Sequence, residues 1–168
     1  MNAARRIRSY GRAENDTLAM EKLPLSKAAE MLLDECRMVL PGIQALFGFQ
    51  LIAVFNDGFS EKLERPEREL HLLATGLVAL AVALIMAPAA LHRQAGATHI
   101  SETFIRTSSL LLLCSMLPLA LGISLDFYLI ARIILESAWS AALAAGLLLV
   151  FFALWYALPQ FYAARRKR

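Results

Sequence analysis

Four long stretches free of Asp, Glu, Lys and Arg divide this chain, and they constrain its fold more than any other feature. They cover residues 38–56, 70–92, 107–125 and 137–164. Each is near or above the roughly 20 residues that an α-helix needs to cross about 30 Å of hydrocarbon. In such a solvent every backbone N–H and C=O must find its partner within the segment, which makes helices the expected structure of these runs. A composition with 58% hydrophobic and only 18% charged residues agrees, because soluble domains carry about a quarter charged residues. The expected fold is all-α: a bundle of four transmembrane helices over about 38–56, 70–91, 103–123 and 137–158.

The loops between these runs differ in basic charge. Seven Lys and Arg precede the first run, Arg93 and Arg106 flank the loop between the second and third, and Arg165, Arg166, Lys167 and Arg168 follow the fourth. The opposite side holds only Lys62, Arg65, Arg68 and Arg132. By the positive-inside rule both termini are expected in the cytoplasm, with four crossings of the membrane between them. Residues 1–22 mix charges with small polar residues, show no apolar core of a signal peptide, and read as a mobile cytoplasmic tail. The net charge of +3 is not gathered with aromatic or groove-reading partners, so no nucleic-acid partner is expected.

The membrane domain is expected over residues 23–164, with 165–168 as a basic cytoplasmic end. From Pro24 onward, Leu25, Ala28, Ala29, Leu32, Leu33 and Cys36 recur at helical spacing. Lys27, Glu30, Asp34, Glu35 and Arg37 fill the other face. This pattern predicts an amphipathic cytoplasmic helix over about 25–37, with Ser26 as its N-cap and a bend at Pro41 and Gly42 before the first span. The first span carries Gln44 and Gln50, which six residues place about 120° apart around the axis. Small residues recur at Gly42, Ala45 and Gly48; at Ala79, Ala83 and Ala87; and at Ala141, Ala142, Ala145 and Gly146. Such faces let helices approach closely, and their number exceeds what one four-helix bundle needs. A homo-oligomer or a larger membrane complex is therefore expected.

The third span contains Pro118, a kink site, and is expected to end at Gly122, Ser124 and Asp126. The stretch 126–136 mixes Arg132 and Glu136 with strongly apolar residues. It reads either as an interfacial helix on the external face or as an outward extension of the fourth span. Trp139 at one end of that span and Trp155, Tyr156 and Tyr162 at the other form aromatic belts.

No chemistry-bearing motif stands out. His71, His92 and His99 lack metal-ligand spacing, and Cys36 and Cys114 read as apolar packing residues. No phosphate loop or nucleophile elbow is present, so no catalytic residue, cofactor or metal is expected and the protein is not expected to be an enzyme. The candidate functional or packing polar residues are Glu35, Arg37, Gln44, Gln50, His92 and Arg93. Antiparallel pairing of the first two spans would bring Glu35 close to Arg93 as an ion pair, and His92 would be placed to respond to pH. Asp57, Asp126, Glu136 and His71 fall at external helix ends, so no proton-exchanging group is expected in the hydrocarbon interior.

Three runs resemble a known family. They are L-L-D-E-C-R-M-V-L-P-G-I-Q-A-L-F-G-F (Leu32 to Phe49, followed by Phe55 and Phe59), A-P-A-A-L-H-R (Ala87 to Arg93) and L-W-Y-A-L-P (Leu154 to Pro159). The chain resembles an uncharacterised bacterial family of small four-helix integral membrane proteins, some of whose members are labelled sodium:proton antiporters. The resemblance implies a multi-pass membrane protein, and it maps Glu35, Arg37, Gly42, Gln44, Phe47, Phe49, Pro88, His92 and Arg93 onto the family signature without assigning them roles.

Overall fold

The structure is a computed structural model, and it describes residues 24–94 and 101–166. Those residues form α1 (Leu25–Ala53), the short α2 (Asp57–Lys62), α3 (Arg65–Gln94), α4 (Glu102–Leu135), α5 (Trp139–Phe152), one π-helical turn (Ala153–Ala157) and α6 (Leu158–Arg166). Among the described residues there is no strand. Four helical stretches are long and apolar enough to cross a membrane: α1, α3, α4 and the continuous Trp139–Arg165. The expected tail over residues 1–22, His99 and the last two basic residues lie outside the described residues.

Local chemistry sets the helix boundaries. Asn56 caps α2 by accepting from the Gly58 N–H at 3.3 Å, and Ser101 caps α4 by accepting from the Phe104 N–H at 3.1 Å. Both are the hydroxyl or amide caps that satisfy otherwise orphaned donors of a first turn. At the start of α3, the Glu67 carboxylate accepts from the Glu64 N–H at 2.9 Å.

Three expectations about helix ends need correction. Helix α1 begins at Leu25 with Pro24 in the cap position and no side-chain cap, so Ser26 lies inside the helix. Pro41 is also inside it, and the amphipathic stretch and the first span form one unbroken element. Pro41 lacks an N–H for the Arg37 carbonyl, but it is exposed on the helix surface. Most consequentially, α4 does not stop at Asp126: it runs nine residues further and ends at Glu136, which adopts a left-handed conformation at φ 47°. Residues 126–135 therefore prolong the third span; they form neither a separate interfacial helix nor an extension of the fourth.

Burial of Leu129 and Ala131 accounts for that continuation, together with two anchors on Arg132. Its guanidinium donates to the Tyr128 hydroxyl at 3.2 Å and pairs with the Glu67 carboxylate of α3.

The core joins α1, α3 and α4 through Leu32, Cys36 and Ile43, through Val78, Ala81 and Ile85, and through Leu119. Helices α3 and α4 make the closest approach. A Cβ placed on Gly122 would stand 2.9 Å from Val78 Cγ2 and 3.0 Å from the Ala74 carbonyl oxygen. Between apolar helices in lipid, association rests on this kind of tight packing because burial from water contributes little.

The fourth span attaches more loosely. Of α5 only Ser140 and Ala144 are buried, and the Tyr156 hydroxyl donates to the Leu113 carbonyl of α4 at 3.1 Å. The π turn lies where Phe151 stacks on Trp155 and Phe152 on Tyr156, with centroids 4.7 and 5.4 Å apart.

The small-residue faces point differently from expectation. On α3 the buried positions are His71, Ala74, Thr75, Val78, Ala81, Ile85 and Pro88, whereas Ala79 and Ala87 are only half-buried and Ala83 is exposed. Ala141, Ala142, Ala145 and Gly146 are all exposed, as are Gly42 and Ala45.

Candidate functional site

Where α1 ends and α3 begins, at the end of the bundle that carries α2, three helices converge on one polar cluster. His71 lies two turns into α3 and is 8% exposed. Its Nδ1 is 3.0 Å from Asp126 Oδ1 of α4, and its Nε2 is 3.0 Å from the backbone carbonyl oxygen of Gln50 on α1. The Gln50 amide donates to the second carboxylate oxygen of Asp126, which closes a ring of three contacts over three helices. Gln50 is itself 4% exposed, and its Oε1 is buried with no partner among the described residues.

Two neighbours fix the imidazole. The Phe59 ring of α2 meets it edge-on at 5.2 Å between centroids and 65° between planes. One turn further along α3, the Thr75 hydroxyl donates to the His71 carbonyl at 2.9 Å, as hydroxyls inside apolar helices commonly do. One turn in the other direction stands Glu67, paired with Arg132. The cluster is therefore flanked by an ion pair and an aromatic ring, and Ala74 and Val78 further along α3 are fully buried.

Buried polar groups persist where every contact has a donor and an acceptor. Here the Gln50 carbonyl can only accept, so His71 Nε2 must carry a hydrogen. The contact between Nδ1 and the carboxylate needs a second hydrogen, on either atom. The arrangement thus matches an imidazolium beside a carboxylate, or a neutral imidazole beside a carboxylic acid. In both cases the net charge is zero, which is what a poorly solvated site favours.

Of the residues expected from sequence to matter, only Gln50 belongs to this cluster. Gln44 is exposed on the outside of α1. Glu35 is exposed along a groove with Ala28, Met31, Ile105 and Ser109, and Arg37 pairs with Asp34 at 3.1 Å, both side chains being exposed. Arg93 borders a separate groove on α3 with Ala83 and Ala87, so the expected ion pair between Glu35 and Arg93 does not form. His92 is half-buried and packs on Phe104 of α4, with centroids 5.8 Å apart. Among the described residues no group of three or more His, Cys, Asp or Glu is placed to hold a metal.

His71 and Asp126 were the residues passed over. The signal was available: each directly follows the leucine at the outer edge of a charge-free run, Leu70 and Leu125, and antiparallel neighbours bring those two edges to one level. A helix stop at Gly122, Ser124 and Asp126 would hide it, because it takes Asp126 out of the bundle.

The comparison with known families adds one observation. A family model described as a family of unknown function (DUF6328) matches residues 22–159, which takes in all four membrane-length helices up to the π turn and the polar cluster between them. The chain belongs to the DUF6328 family. The resemblance noted in the sequence is thus to a real family, and a DUF6328 protein has here a four-helix architecture with membrane-spanning character. No curated protein and no solved structure matches the chain.

Proposed function

We propose that this DUF6328 protein is a non-enzymatic interaction or accessory component of the bacterial cytoplasmic membrane, with both termini in the cytoplasm, and that it works in a homo-oligomer or a larger membrane complex. The observation that carries the reading is the set of small-residue faces left open by the bundle. A Cβ at Gly42, Gly48, Gly76 or Gly146 would meet nothing within 4 Å, and the fourth span is scarcely covered by the rest of the chain. Lipid gains nothing from such ridges, whereas a second helix gains close backbone approach. Crosslinking in native membranes, followed by native mass spectrometry of the protein in nanodiscs, tests the reading. The expected result is a discrete oligomer or a complex with other membrane proteins; free monomer in both experiments overturns it.

A second reading, a small oligomeric ion or solute transporter of the sodium:proton antiport type, is favoured by one observation, the buried His71–Asp126 pair. Intramembrane ionisable residues mark transport pathways in many proteins. The pair lies toward one end of the bundle, and coupled transporters generally place their exchanging group near mid-depth, so this reading ranks second. Liposomes containing a pH-sensitive dye separate the two. Sodium-dependent proton flux that vanishes in Asp126→Asn establishes the transporter and displaces the accessory role.

A further inference from the structure

We propose that His71 and Asp126 form a proton-binding site that clamps α1 to α3 and α4 while the proton is held, and that loosens α1 when the proton leaves. The inference follows from the contacts of one ring and does not depend on whether the protein is a scaffold or a transporter.

Both imidazole nitrogens face oxygen atoms, at 3.0 Å each. A neutral imidazole beside an ionised carboxylate has one hydrogen for these two contacts, where two are needed. Removal of the proton to solvent leaves two arrangements. If the hydrogen stays on Nε2, the lone pair of Nδ1 faces a carboxylate oxygen. If it moves to Nδ1, the bond to Asp126 is kept and Nε2 presents a lone pair to the Gln50 carbonyl. The second retains the charge-assisted bond and is the cheaper of the two. Deprotonation therefore breaks this hydrogen bond between α3 and α1, and it leaves the Gln50 side chain as the remaining hydrogen bond from α1 to the cluster.

The surroundings add little countercharge. From α4 comes Asp126 itself, with Tyr128 and Arg132 further along. Arg132 is engaged by Glu67 of α3. From α1 come only the amide and carbonyl of Gln50, and from α2 the edge of Phe59. The charged residues of α2, Asp57, Glu61 and Lys62, are exposed. On α3 itself Thr75 is neutral. The site is not sealed, with the His71 and Asp126 side chains 10% and 16% accessible, and it lies at the end of the bundle that carries the exposed charges of α2.

The sign is fixed by the count of hydrogens: the clamp is complete on the acid side and weakens as pH rises. Asp126→Asn tests it, because an asparagine amide can donate to Nδ1 of a neutral imidazole while its oxygen accepts from Gln50. That variant needs no extra proton. With the full chain in nanodiscs, the melting temperature of the wild type, relative to that of Asp126→Asn, is expected to fall by about 4 °C or more between about pH 5 and about pH 9. A constant difference overturns the proposal. Should Asp126→Asn fail to fold, 15N-histidine NMR of the wild type decides, with the His71 signals assigned by their loss in His71→Gln. Nε2 is expected to carry its hydrogen in acid and to lose it in base. Retention of that hydrogen across the range overturns the proposal.

Discussion

Gln44 and Gln50 are the same residue type on the same helix, yet packing gives them opposite environments. Gln50 is buried and donates to Asp126; Gln44 is exposed. Sequence alone fixes the angle between them, about 120°, and so implies that only one faces a given neighbour. It does not say which one, because that depends on how α1 is rotated against α3 and α4. Gln50→Leu removes a donor from the partly buried Asp126 carboxylate and leaves one of its oxygens unpaired, so it should destabilise the fold by roughly 1–2 kcal/mol. Gln44→Leu should change stability by less than about 0.5 kcal/mol, as exposed substitutions do. Thermal unfolding of the two variants in the same lipid checks the pair. Equal effects would mean that the amide of Gln50 contributes nothing to helix association.

At the scale of the helices, the length of the charge-free runs was sufficient to indicate four spanning elements, because no other structure satisfies the backbone over such lengths of hydrocarbon. Their ends were less legible. Gly122, Ser124 and Asp126 suggested a stop, since these types favour turns and caps in water. In the bundle the same residues serve packing. Gly122 admits Val78, Ser124 is buried, and Asp126 bonds His71, so α4 continues to Leu135. Its true end is Glu136, the only non-glycine residue with positive φ among those described. A left-handed cap is disfavoured for a residue with a Cβ, and glycine removes the penalty. Glu136→Gly is expected to stabilise the protein by about 0.5–1 kcal/mol, and Glu136→Val to destabilise it by at least as much. Melting temperatures moving in opposite directions for the two variants would verify this end of α4, and a common direction would refute it.

For the molecule as a whole, the sequence supplied an inventory of small residues without saying which of them the chain uses internally. The structure divides them by direction. Gly122 faces in, where an added methyl would strike Val78 and the Ala74 carbonyl; Gly146 faces out, where it would strike nothing. The same substitution at the two positions should therefore have opposite consequences. Gly122→Leu forces α3 and α4 apart and should cost about 1–3 kcal/mol of stability, whatever the protein associates with. Gly146→Leu should leave the melting temperature of the isolated chain within the error of the measurement, yet it interrupts a ridge of Ala141, Ala142 and Ala145 on which another helix can pack closely. If that ridge is a contact between copies, crosslinked oligomer in membranes should drop severalfold in Gly146→Leu. A fall in stability without loss of crosslinking would place Gly146 inside the bundle and remove the basis for association through the fourth span. A loss of crosslinking at unchanged stability would locate the partner surface on that span, because no contact within the chain is altered by the substitution.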